Sequence, residues 1–351
     1  MRRSPLTPPP PLHFLGIGAQ RSATTWLYRN LLSHPQLWMP PIKELHYFSR
    51  ELRATDNYLP NDSLGQPYRF WEPQVRAWWG EVRAQARRSL RRHGMSRPWL
   101  AEMRWIRRYF FGSPKNMAWY RSLFAPAAGR MCGEITPAYS LLDDATIGEI
   151  HRELPDLKLI FRMRDPIDRA LSQQALFAKL GQIERNATEQ QQLAFLTSPA
   201  VQGRGDYLAI LRRWQKHYPA EQIFVGWFEE LAEDSTKAFH RVLDFLNLPS
   251  AEAMPLEPLA KRFNSHQRVA TPPSVIRGLA RHMRPQIAAL ADHFGHHAVR
   301  WLAHCDELLS GWAGDPVGSG RVGRRDGAQR SALPEAAGPP SQPDQPDQRR
   351  P

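Results

Sequence analysis

FLGIGAQRSATTWLYRNLL, residues 14–32, is the stretch on which the fold turns. A short apolar run breaks into a small polar loop and then into a helical pattern. Phe14, Leu15 and Ile17 read as a buried strand, Gly16 and Gly18 as positions whose backbone takes geometry that other residues resist, and Thr24 as the start of a helix. A helix start presents N–H groups without intrahelical partners and the positive end of a dipole, so phosphate or sulfate is its natural guest. Arg21 adds a fixed charge, Ser22, Thr24 and Thr25 add three hydroxyls, and no acidic residue interrupts the loop. An ordinary strand-turn-helix junction has much the same composition, so this loop alone leaves both readings open.

A second junction follows at residues 157–172, LKLIFRMRDPIDRALS. Leu157, Leu159, Ile160 and Phe161 read as a strand, Asp165 as a helix N-cap, and Pro166 as the first helical residue, where a missing N–H does no harm. Arg164 leaves the strand end and Ser172 sits about two turns into the helix. A guanidinium fork grips a phosphate bidentately, which suits Arg164 to an anion. The third constellation is IKELHYF, residues 42–48. On an extended segment Glu44 and His46 project to the same face, two residues apart. A hydroxyl becomes a nucleophile as its proton is removed, and a carboxylate or imidazole within reach does that. The plainer alternative makes Lys43 and Glu44 solvated charges and packs His46 beside Tyr47 and Phe48.

These segments, in this order, resemble the sulfotransferases that use 3′-phosphoadenosine 5′-phosphosulfate (PAPS). The first loop is similar to their G-x-x-[KR]-x-G-T-T-x-L: Gly18, Arg21, Thr24, Thr25 and Leu27 fit, while Ala23 stands where glycine is usual and Arg21 where lysine is. The Walker loop is a poorer match, because no Gly-Lys pair precedes the hydroxyl residues. The second junction resembles the family's R-D-P, arginine, serine motif. IKELHYF resembles K-E-x-H-[FY]-F of the glycan branch, the heparan sulfate N- and 3-O-type enzymes and their bacterial relatives. The resemblance implies an α/β, P-loop-like sulfotransferase fold with a central parallel sheet flanked by helices. It implies that Arg21, Ser22, Ala23, Thr24, Thr25 and Trp26 hold the 5′-phosphosulfate and that Arg164 and Ser172 hold the 3′-phosphate. Glu44 inherits the role of base, His46 assists, and Arg21 neutralises charge on the leaving phosphate during in-line transfer. Arginine does not give up its proton, so Arg21 acts there as a charge and not as an acid.

The likeness continues along the chain. GEITPAYS, residues 133–140, looks like the family's E-K-[ST]-P-x-Y, with Ile135 in place of lysine, a departure that bears on the acceptor. Residues 204–231 resemble its tyrosine-bearing helix, final strand and acidic turn. Tyr207, implied there as a nucleotide contact, also belongs to an apolar stripe with Ile210, Leu211 and Trp214, and Phe239, Val242, Leu243 and Leu246 form another after Asp234, Ser235 and Thr236, any of which could cap. RFNSHQRVATPP, residues 262–273, loosely matches a loop that closes over the nucleotide, which puts Arg268 against the donor.

With 351 residues, 42% of them hydrophobic, the chain can fill one large core. A single sulfotransferase domain is expected over residues 12–313, between a Pro-rich tail at 1–11 and a Pro/Gly/Gln/Ser-rich tail at 314–351, both expected to be disordered. The net charge of +13 is partly concentrated in an insert at about residues 60–130, where Arg83, Arg87, Arg88, Arg91, Arg92, Arg97, Arg104, Arg107 and Arg108 crowd with Trp99 and Trp105. That insert reads as a solvated helix face, or as a grip for an anionic saccharide or glycolipid acceptor or a peripheral membrane contact; no nucleic-acid signature accompanies it. Cys132 and Cys305 need not pair, and His296 and His297 lack metal-ligand spacing, so no metal is expected. The sequence shows no 18-residue apolar run and no signal-peptide core, and a cytoplasmic protein is the expectation. A P-loop kinase and a non-catalytic nucleotide or polyanion binder remain the alternatives.

Overall fold

Strand β1 (Phe14–Gly18) is buried along its whole length and pairs in parallel on both edges, with β3 (Met131–Ile135) and with β4 (Lys158–Met163). The computed structural model describes residues 12–49, 87, 97–112, 115–179, 181–184, 186–249 and 271–310. Among these, two outer strands complete a five-stranded parallel sheet of order β2-β3-β1-β4-β5, β2 being the short Leu37–Trp38 and β5 Ile223–Trp227. The expected parallel sheet is therefore present. The tails at 1–11 and 314–351, Arg268, Arg83, Arg88, Arg91 and Arg92 lie outside the described residues.

Both faces of the sheet are covered, which is why its strands read as continuous apolar runs and not as alternating ones. On one face Phe14, Ile135, Ile160 and Phe224 pack against α1 (Thr24–Ser33) and α9 (Glu230–Phe245) through Trp26, Leu27, Leu31, Phe239, Val242 and Leu243. On the other, Leu15, Ile17, Leu159, Phe161 and Met163 meet the remaining helices. Those include α2 (Arg97–Phe111), α3 (Met117–Ser122), α4 (Asp144–Glu153), α5 (Pro166–Lys179), α6 (Glu189–Leu196), α7 (Pro199–Gln202) and α8 (Tyr207–Gln215). A C-terminal hairpin of α10 (Pro273–Phe294) and α11 (His296–Ser310) closes this side, with Val275, Leu279, Met283, Ile287 and Leu290 as its buried stripe. Among the described residues no helix is long and apolar enough to cross a membrane.

Several local expectations change. Gly16 and Gly18 are not among the positive-φ glycines; they are small because their neighbours are close. A Cβ on Gly16 would lie 2.7 Å from Ile135 Cγ1, and one on Gly18 2.9 Å from the Phe161 ring. Ile135 itself is buried in the core. Trp105 belongs to the core too: its indole N–H donates to the Leu123 carbonyl at 2.7 Å and its ring stacks on Tyr109. Helix α9 breaks at Asp234 (φ −155°, ψ 95°), whose Oδ1 accepts from the Lys237 N–H at 2.9 Å, so of the three candidate caps Asp234 is the one used.

The tight strand spacing is testable. Gly133→Ala would put a methyl 2.5 Å from the Phe14 carbonyl oxygen, and Gly16→Ala would push Ile135 from its place. Each is expected to lower unfolding free energy by about 1–3 kcal/mol, with Gly133→Ala the worse because backbone yields least, as read from urea midpoints.

Candidate active site

The loop between β1 and α1 has features that suit an anion. Ala23, the N-cap of α1, sits in the left-handed region (φ 59°, ψ 27°), makes no side-chain cap, and no acidic residue occupies the first helical turn. The amides of Ala23, Thr24 and Thr25 have no carbonyl four residues back within the helix to bind, and the dipole end faces the same way. Ser22 is fully buried, yet its Oγ has no hydrogen-bond partner among the described residues. A buried hydroxyl beside an uncapped helix start fits an anionic ligand. Trp26, by contrast, turns its ring into the core, edge-on to Phe239 at 6.0 Å, so only its backbone can serve the cradle.

The second junction comes to the same place. Asp165 caps α5, its Oδ1 accepting the N–H groups of Ile167 and Asp168 at 2.8 and 3.2 Å. Arg21, at φ 71°, donates from Nε to Ser172 Oγ at 3.0 Å, joining residues 151 apart in sequence. Arg164 reaches back to the Arg21 carbonyl at 3.5 Å, pairs with Asp168 at 3.1 Å, and lies over the Phe228 ring at 4.5 Å. Its Nε is buried with no hydrogen-bond partner among the described residues. Burial and the neighbouring charge of Arg164 lower the pKa of Arg21 to about 10, against the opposing pull of Glu44. The cluster continues inward to Arg169, fully buried and lowered to about 10 by burial with Arg204, Arg164 and Arg21 nearby. Tyr207 is fully buried, and its hydroxyl donates to the Arg164 carbonyl at 2.7 Å.

The loop at 42–48 is not extended. Glu44 and His46 both take left-handed φ values, 65° and 55°, which L-residues hold only where their surroundings force them to. The forcing groups are visible. Glu44 N–H donates to the Ile135 carbonyl at 3.2 Å, Leu45 N–H to Glu134 Oε2 at 3.2 Å, and Tyr109 hydroxyl to the Leu45 carbonyl at 3.0 Å. Tyr47 stacks on Tyr120 at 4.3 Å and Phe48 packs edge-on to Tyr120 and Tyr139. With Leu45, Tyr47 and Phe48 fastened inward, Glu44 and His46 are left together on the open side, Glu44 Oε2 3.5 Å from His46 Nε2. Burial pushes the Glu44 carboxyl up, but the adjoining Lys43 ammonium and the His46 ring outweigh it and hold the group well below the usual carboxylate range. His46 Nδ1 is turned to Ser49 Oγ at 3.1 Å.

Glu134 is the residue that sequence reasoning passed over. It is almost wholly buried and accepts from Tyr120 at 2.6 Å, Thr136 at 2.7 Å, Tyr139 at 2.9 Å and the Leu45 amide. Burial raises its pKa, and the four donors work against that rise. A lone glutamate inside the apolar run MCGEI was the available signal. Among the described residues no cluster of His, Cys, Asp or Glu could hold a metal ion, and Cys132 and Cys305 are separate, buried thiols.

Residues 14–252 match the family described as the sulfotransferase family. Over 140 residues, 38% of this chain, the sequence is 33% identical to human heparan sulfate glucosamine 3-O-sulfotransferase 3B1. It is 30% identical over 142 residues to human heparan sulfate glucosamine 3-O-sulfotransferase 6. The matched stretch spans 36% and 40% of those relatives' lengths. A solved sulfotransferase from Alicyclobacillus acidocaldarius has the same fold, at TM-score 0.53 and 19% identity, over 83% of this chain and 99% of its own.

Two substitutions test this geometry. Glu134→Gln sets an amide NH2 against donors inside the core and is expected to cost about 1–3 kcal/mol of stability. Ala23→Gly relieves the left-handed position by about 1–2 kcal/mol and gives part of that back through unfolded-chain entropy, so its melting temperature is expected to equal or exceed that of the parent chain.

Proposed function

The chain belongs to the sulfotransferase family, and from that premise we propose that it is an enzyme moving a sulfuryl group from PAPS to a hydroxyl or amine of a saccharide or glycolipid acceptor. The observation that carries the reading is the convergence of three distant segments. The uncapped start of α1 with the buried Ser22 hydroxyl, the Arg164–Ser172 junction and the Glu44–His46 pair meet around Arg21. A Walker-type kinase offers a lysine after glycine in the first loop, which this loop lacks.

The roles follow from the chemistry of each group. PAPS supplies the activated sulfuryl group and leaves as 3′-phosphoadenosine 5′-phosphate. The first-turn amides of α1, with Ser22, Thr24 and Thr25, hold its 5′ end, and Arg164 and Ser172 hold the 3′-phosphate. Arg21 lies between the two groups and offsets the charge that builds on the leaving side. As the acceptor oxygen bonds to sulfur and the bond to the 5′-phosphate breaks, the acceptor proton passes to the Glu44 carboxylate, with His46 orienting it. Glu44 is held ionised by Lys43 and is a weak base while that ion pair stands; an anionic group brought beside Lys43 draws the ammonium off and raises the basicity of Glu44. A saccharide acceptor rests on the likeness of IKELHYF to the glycan branch and on the partial likeness to the 3-O-sulfotransferases. The exposed Arg107 and Arg108 of α2 are consistent with an anionic acceptor.

Calorimetric binding of 3′-phosphoadenosine 5′-phosphate against AMP and ADP tests the donor. The chain is expected to prefer the 3′-phosphate, and Arg164→Ala to weaken that preference by about one to two orders of magnitude. Tighter, magnesium-dependent ADP binding would return the kinase reading. Glu44→Gln is expected to reduce transfer of labelled sulfate by about two to four orders of magnitude while leaving nucleotide affinity unchanged; retained transfer would move the base to His46.

A further inference from the structure

The turn between β4 and α5 carries Arg164, and three side chains from elsewhere in the fold hold it. Tyr207 of α8 donates to the Arg164 carbonyl at 2.7 Å. Glu229, just before α9, accepts the Asp165 amide at 3.2 Å. His304 of α11 donates from Nδ1 to Asp165 Oδ2 at 2.7 Å. Glu229 is in turn fixed by the Trp301 indole N–H at 2.9 Å, and the Trp301 ring lies 6.2 Å from that of Tyr207. One face of α11 thus reaches all three restraints. The family match ends at residue 252, and the hairpin α10–α11 lies wholly beyond it.

We infer that the C-terminal hairpin is a working part of the donor site, in which Trp301 and His304 are positioning residues that hold the β4–α5 turn and so aim Arg164. This rests on the reading of Arg164 as the 3′-phosphate ligand. Beyond its backbone, Arg164 is steadied by Asp168, in the first turn of α5, and by the Phe228 ring next to Glu229. A shift of the turn therefore carries the guanidinium with it. Covering the core does not require these two polar contacts, since Val275, Leu279, Met283 and Ile287 already supply the hairpin's apolar stripe. His304 is 39% exposed and adds little to that burial, but its bond to Asp165 joins α11 to the cap of the helix that bears Ser172.

The contact also has a pH sense. Around the imidazole stand Asp165 and Asp168 from the α5 start and Glu307 from its own helix, with Glu229 on the far side of the Asp165 amide and Arg164 paired to Asp168. The bond to Asp165, opposed by burial, raises the pKa of His304. A histidine raised on folding contributes fully below its ordinary value of about 6.5 and loses that contribution as pH climbs through the raised value. The hold on Arg164 accordingly loosens on the alkaline side.

The test compares binding of 3′-phosphoadenosine 5′-phosphate with binding of AMP, from about pH 6 to about pH 8.5, in the full chain and in His304→Ala, His304→Gln and Trp301→Phe. His304→Ala and Trp301→Phe are expected to weaken the bisphosphate about fivefold at the acid end and to leave AMP unchanged. His304→Gln keeps a donor toward Asp165, so it is expected to restore most of the affinity while abolishing the pH-dependent step. An unchanged ratio of the two affinities in variants whose melting curves show an intact fold would overturn the inference, as would equal weakening of both nucleotides. Should Trp301→Phe fail to fold, the two His304 variants decide the matter. If the parent chain itself does not distinguish the two nucleotides, the donor assignment falls and this inference with it; if the parent distinguishes them and the variants do so equally well, only the role of the hairpin is lost.

Discussion

The buried carboxyl of Glu134 is the constraint on which the candidate catalytic side of this protein depends. It lies near the end of β3, buried from solvent, so it must be satisfied by protein donors, and it gathers four: two tyrosines, a threonine and the amide of Leu45. That last bond, with the Tyr109 hydroxyl on the Leu45 carbonyl, nails the centre of the 42–48 loop to the sheet. Glu44 and His46 flank the nailed residue, and their left-handed backbones are the geometric result. A stretch of chain that would otherwise lie extended is bent so that two titratable groups meet at 3.5 Å.

The proposed donor side is dominated by positive charge. Burial and the charge of Arg164 lower the pKa of Arg21, burial and the charges of Arg204, Arg164 and Arg21 lower that of Arg169, and Asp168 is the acidic side chain paired to Arg164 there. Crowded, partly buried guanidinium groups disfavour the folded state unless anionic charge is brought to them. Under the donor assignment proposed above, a ligand bearing phosphates at both ends would relieve that repulsion beside a loop whose helix is uncapped and whose Arg21 and Ala23 are left-handed.

Packing explains why the cradle lies where it does. All five described strands run parallel, so the loops leaving β1, β3 and β4 emerge at one edge of the sheet. Gly16 and Gly133 let β1 and β3 come close enough for Thr136 N–H to reach the Gly16 carbonyl at 2.9 Å, and so bring the cradle beside the loop that Glu134 anchors. The C-terminal hairpin then closes the far side against β5 through Trp301 and Trp227.

Sequence alone determined the elements whose signal is local. Strands β1 and β4, the helix starting at Thr24, the Asp165–Pro166 cap and the stripes of α8 and α9 follow from apolar periodicity and capping chemistry within a few residues. The motif likeness singled out Arg21, Arg164, Ser172, Glu44 and His46, whose roles as anion and proton handlers are the proposal made above. What tertiary structure decided were matters of contact between distant segments. It set the bond from Arg21 to Ser172 and the bent backbone at Glu44 and His46. It put Ile135, Trp26 and Trp105 in the core, made Glu134 a hub, and brought His304 to Asp165. A charged residue inside a strand or a half-buried histidine on a late helix carries no local mark of its partner, because the partner is chosen by how helices and sheet pack and not by neighbours along the chain.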